Sequence, residues 1–187
     1  ISATAQLVLP SGDLLAGPEA DFVLIAHPSL ISGLEPLVAA RRAEGLRVRV
    51  VDVEAIYRQF SGAQVDPDAI SKFIREASLR WGTGYVLLVG GDSYDYFNYL
   101  NLQSLSLVPT HYRRLHGFVN YGPTDAPFAD FDLDGDPDIA IGRFPARNRA
   151  ELDLLVAKTL RGVTSRSTML IADRDLASQI NFGEAQD

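Results

Sequence analysis

Phe22-Val23-Leu24-Ile25-Ala26, five apolar residues between Asp21 and the His27-Pro28 pair, is the stretch that decides the fold. An unbroken apolar run this short, closed by a turn signal, reads as a strand buried on both faces. Tyr85-Val86-Leu87-Leu88-Val89 repeats the pattern and ends in Gly90-Gly91-Asp92. Outward from these two runs lie further strand candidates at 47–52, 139–143 and 168–172, with a short one at 108–114.

Helical patterns separate the strands. Ser32-Gly33-Leu34-Glu35 has the spacing of a capping box, with Pro36 in the first turn and Gly45 as the stop. Asp66 caps the next helix with Pro67 at its first position, and Ile70, Phe73, Ile74, Ala77 and Trp81 recur at helical spacing. Asn148 with Glu151 three residues on opens a third helix, whose expected buried stripe is Leu152, Leu155, Val156 and Leu160. Strands alternating with helices give an α/β fold: a three-layer, doubly wound, mainly parallel sheet. Ligands of such sheets bind beyond the strand C-termini, which here carry His27, Asp52, Gly90-Gly91-Asp92 and Asp173-Arg174-Asp175.

The chain has 187 residues, enough for one α/β domain that folds without staples. Residues 1–20 read as an edge strand and linker, 21–175 as the domain, and 176–187 as the start of a following segment. The first residue is Ile1 rather than Met, as expected of a processed or excised piece. No apolar run approaches the ~20 residues of a membrane span. There is no cysteine, which excludes a disulfide framework, a thiolate zinc site and a thiol nucleophile in this chain. A net charge of −7 makes nucleic acid a poor partner. No GxGxxG follows the first strand, and neither a P-loop nor a GxSxG elbow occurs. A phospho-receiver is disfavoured, because His27-Pro28 and Asp173-Arg174 stand where an acidic pair and a lysine belong.

The charge is local. Six aspartates and no Lys or Arg lie between Asp125 and Asp138; without them 18 acidic residues face 17 basic ones. Within that segment, Asp130, Asp132, Asp134, Gly135, Asp136 and Asp138 spell D-x-D-x-D-G-x-x-D. Oxygens at positions 1, 3 and 5 converge on a hard cation, Gly135 permits the sharp turn, and Asp136 and Asp138 offer a carbonyl and a further carboxylate or water. Position 12, where an EF-hand has its bidentate Glu, is Ile141 in a strand. The expectation is a structural Ca²⁺ in an EF-like loop that enters a strand; the alternative is a solvated acidic turn.

The order of pieces resembles a known family. Phe22–Ala26, Leu34–Val38, Gly45–Val51, Tyr85–Asp92, Val108-Pro109, Thr124-Asp125, the acidic loop and Pro137–Pro145 together are similar to the N-terminal half of the catalytic domain of gingipain-type cysteine peptidases, family C25. The resemblance implies a caspase-like, Rossmann-like subdomain and a secreted, extracellular protein of bacterial cell-envelope type. It also implies a C-terminal catalytic subdomain that supplies the histidine and the nucleophilic cysteine for cleaving a peptide or protein substrate. The carboxylate that orients the histidine would be Asp175, with Asp173 next. Without cysteine the chain alone should be inactive, whether a fragment or part of a pseudo-enzyme. The alternative is a non-catalytic calcium-binding α/β interaction module.

Among single residues, His27, His111 and His116 read as structural, and Ser93 has no base beside it in sequence. Asp92 reads as turn and cap chemistry, or else as a metal ligand or site-lining acid, and the aromatic stretch from Tyr94 to Tyr99 as a packed loop or an interface with a second subdomain.

Overall fold

The computed structural model describes residues 12–95, 98–114 and 121–162. Strand β1, Phe22–Ala26, has its last four side chains fully buried. A short helix α1 (Pro28–Ile31) and helix α2 (Glu35–Ala43) lead to β2 (Val48–Asp52). Helices α3 (Val53–Phe60) and α4 (Pro67–Trp81) precede β3 (Tyr85–Val89). A long excursion holds a small antiparallel pair, β4 (His111–Arg113) and β5 (Gly122–Thr124), and a 3₁₀ turn over Ala126–Phe128. The chain then enters β6 (Ala140–Phe144) and α5 (Arg149–Arg161).

The main sheet is parallel, in the order β2-β1-β3-β6. Phe22 is level with Val48 on one side and Tyr85 on the other, and Tyr85 with Ala140. Two apolar cores flank it. One packs Val23, Ile25 and Leu88 under α3 and α4, around Tyr57, Phe73, Ile74 and Trp81. The other packs Leu24, Ala26 and Val89 under α1, α2 and α5, around Leu30, Leu37, Leu152 and Val156. The doubly wound α/β architecture expected from alternation is therefore present.

Local signals decide most element ends. Asp66 accepts a hydrogen bond from the Asp68 N–H at 2.9 Å, as a cap should. Asn148 does the same for Glu151 N–H at 3.0 Å. After α2, Gly45 takes φ +91° while its N–H donates to Arg42 O and that of Leu46 to Arg41 O, the paired bonds of a Schellman stop.

Two expectations need correction, and one helix is additional to them. The capping box at Ser32 does not form: Ser32 closes α1, and Leu34 precedes α2 without a side-chain cap. Burying Leu34 completely outweighs the cap, because the tight α1–α2 turn must drive that side chain into the core. Helix α3 was not anticipated, although Val53, Ile56, Tyr57 and Phe60 have helical spacing behind an Asp52 cap. In α5, Leu152 and Val156 are buried, Leu155 is only partly so, and Leu160 is exposed. The strand expected at 168–172 and the edge strand expected before residue 12 lie outside the described residues.

Candidate functional site

Beyond β1 and β3, where the strand order reverses, two loops are tied to the sheet by polar clasps. Gly90, with φ +150°, lets the returning chain pass close: a Cβ there would lie 2.9 Å from Val108 Cγ2 and 3.2 Å from Val108 N. Asp92 accepts hydrogen bonds from Ser106 Oγ (2.6 Å), Thr110 N (3.2 Å) and Tyr112 Oη (2.8 Å). Its carboxylate thus fastens the loop through partners 14 to 20 residues away, rather than by the local turn and cap chemistry expected of it.

Arg143 makes the second clasp. Its guanidinium grips Asp125 through Nε (2.7 Å) and Nη2 (2.8 Å) and donates to the carbonyls of Gly90, Val108 and Pro109. Both side chains are mostly buried. A fork-on-carboxylate pair with its other donors satisfied is the strong form of this interaction. Asp125, counted with the acidic segment from sequence, is therefore neutralised elsewhere. Sequence reasoning missed the pair; the one signal was a charged residue inside the apolar strand 139–143.

His27 caps α1, accepting from Ser29 N at 3.3 Å. His111 is buried on β4, with Nε2 3.0 Å from Ser71 Oγ and the ring 4.6 Å from that of Phe128. Burial, then the nearby Arg113 cation, hold its pKa below the ordinary histidine value. Tyr94, Tyr112 and Tyr121 stack into one cluster, the last two 5.0 Å apart and nearly parallel. Tyr94 and Tyr121 stay exposed. Asp173, Asp175 and His116 lie outside the described residues.

The acidic loop folds as a turn that gathers carboxylates. Asp130 accepts from Gly135 N at 3.1 Å, Asp132 from Asp134 N at 3.2 Å, and Asp138 from Phe131 N at 2.6 Å. Gly135 takes φ +103°, the turn its place in the pattern demands, and Leu133 takes φ +65°. Oxygens of Asp130, Asp132 and Asp138 all lie within 4.8 Å of one another. Each such pair repels by roughly 1–4 kcal/mol depending on the effective dielectric. Asp130 Oδ1 is buried without a hydrogen-bond partner. A hard cation fits this donor set, because it would answer both the repulsion and the orphaned oxygen. Asp134 and Asp136 are not in the group; Asp134 instead accepts from Asp136 N at 2.9 Å.

The sequence model of Peptidase family C25 matches residues 16–181. Dimeric latent PorU of Porphyromonas gingivalis is similar in structure, with a TM-score of 0.64 and 27% identity over 78% of this chain and 16% of that one. A second solved structure, described only as a protease, shares the fold at a TM-score of 0.52 and 17% identity, covering 78% of this chain and 28% of that one. The chain thus spans well under two thirds of either protein's length. No curated protein matches it.

Proposed function

The chain belongs to peptidase family C25, and from that premise we propose that it is the N-terminal part of a gingipain-like cysteine endopeptidase catalytic domain. The family match, laid over a parallel α/β sheet, is the observation that supports the reading most. The chain contains no cysteine, so the thiol and its histidine base would come from a C-terminal catalytic subdomain, and these residues alone would not cleave a peptide or protein substrate. Asp175, or failing it Asp173, would orient that histidine and stabilise its imidazolium form. The full protein would act outside the cell, at or beyond the envelope.

Within this part, Asp130, Asp132 and Asp138 would hold one structural Ca²⁺, with Asp134 and Asp136 completing the shell through side chain or backbone. The ion would supply cross-linking charge only, pinning the segment before β6.

A non-catalytic module is the second reading. It draws support from the acids beyond the sheet, since Asp92 and Asp125 are both spent on clasps. The experiment that separates the two joins this chain to the segment that follows it in its full-length protein and measures hydrolysis of a fluorogenic peptide library. The peptidase reading expects thiol-dependent cleavage, falling at least 10-fold in Asp175→Asn, with the 187-residue chain alone inert. No cleavage by the joined protein would leave the module reading standing.

A further inference from the structure

A pocket of about 230 Å³ opens between the first turns of α4, β4 and the acidic loop. Its polar side is cationic. Lys72, Arg75 and Arg113 line it, are exposed, and make no hydrogen bond or ion pair among the described residues. By contrast, Arg41, Arg47, Arg58, Arg80, Arg143, Arg147 and Arg149 all have carboxylate partners. Three unpaired cations face two carboxylates in this lining, so the pocket itself carries a small net positive charge although one wall belongs to the acidic loop of a chain of net charge −7. Two acids also line the pocket: Asp130 is turned to Gly135 N, and Asp68 lies 3.9 Å from His111 Nδ1.

The other side is apolar. Phe128 is fully buried behind it, Phe131 is half-buried, and Leu133 stands 85% exposed. The Ser71–His111 hydrogen bond at 3.0 Å and the His111–Phe128 ring contact tie α4 to the opposite wall.

We propose that this pocket binds the C-terminal residue of a peptide, its free carboxylate among Lys72, Arg75 and Arg113 and its apolar side chain against Phe131 and Leu133. Charge complementarity selects an anion, and the apolar wall selects one that carries a hydrophobic group. The volume falls below the ~300–1,000 Å³ of pockets for drug-sized ligands, so it suits a single residue at a chain end rather than a longer bound segment. A free carboxylate is what peptide-bond hydrolysis leaves, so the occupant would be a cleavage product or a processed chain end.

The test titrates the protein with N-acetyl-Ala-Leu, its C-terminal amide, and N-acetyl-Leu-Asp-amide, in buffer free of acetate and phosphate. The readout is the shift of backbone and His111 ring resonances. The free acid should saturate and bind at least 10-fold more tightly than the amide. The double variant Arg75→Gln/Arg113→Gln, at exposed positions, should abolish that preference while circular dichroism stays unchanged. Leu133→Ser should weaken acid and amide alike. Equal binding of acid and amide, preference for the aspartyl probe, absence of saturation, or an undiminished preference in the double variant would each overturn the proposal.

Discussion

Replacing Arg143 by leucine would take the guanidinium from three carbonyls and from the Asp125 carboxylate, which would keep only the Thr110 hydroxyl at 2.7 Å. The side chain is 13% exposed and that of Asp125 23%, so little water can step in. Removing one partner of such a pair costs about 3–5 kcal/mol, most of it the penalty on the charge left behind. Urea unfolding of Arg143→Leu should show a loss of that size; a loss below about 1 kcal/mol would mean the clasp is replaceable. His111 predicts a pH effect. Burial and then Arg113 lower its pKa, while Asp68, Asp125 and Asp66 pull the other way with less effect. The unfolded chain therefore takes up this proton first as the medium acidifies. The histidine's contribution to stability is complete above about pH 6.5 and is lost as pH falls through that value toward the folded pKa. His111→Gln should flatten the stability profile below about pH 6.5 relative to the parent. At this scale the sequence was partly legible. Asp66 and Asn148 announce themselves as caps because a cap is a contact within three residues. Arg143 does not announce Asp125, 18 residues away, because no local spacing encodes a pair closed by a loop.

The helix layer depends on one missing side chain. A Cβ on Gly33 would lie 2.7 Å from Leu152 Cδ2 and 2.9 Å from Arg149 Nε. Arg149 can swing aside, giving up its 3.0 Å bond to Ser32 Oγ, but Leu152 is fully buried and has nowhere to go. Gly33→Ala should therefore push α5 away from the α1–α2 turn and cost about 1–3 kcal/mol, seen as a lower melting temperature. An unchanged melting temperature would show that α5 relaxes freely. In sequence Gly33 is one position of an expected capping box; its role follows from a helix more than a hundred residues later. The opposite case is α4, whose five apolar positions were legible and are all buried, because a helical period sustained over 15 residues is a strong signal. The eight residues of α3 are a weaker one.

Across the whole molecule the charge is uneven, and its stability should follow the cation that the acidic loop is proposed to hold. A ligand bound only by the folded state adds about 2.7 kcal/mol at 100 times its dissociation constant. For a chain of this size that raises the melting temperature by roughly 5–10 °C. Calorimetry with and without calcium should show such a gain, and Asp132→Ala should remove it. A chelator that leaves the parent's melting temperature unmoved would dismiss the ion. The sequence by itself determined where the buried strands and the long amphipathic helix lie, the α/β class, the absence of a thiol and the family. All are carried by composition, short-range periodicity or motif order. Only the tertiary structure decided the strand order β2-β1-β3-β6, the neutralisation of Asp125 by Arg143, the gathering of Asp130, Asp132 and Asp138 without Asp134 and Asp136, and the unpaired cations around His111. Each of these depends on where chains distant in sequence meet or on how a loop turns its side chains, and backbone path rather than residue type sets that.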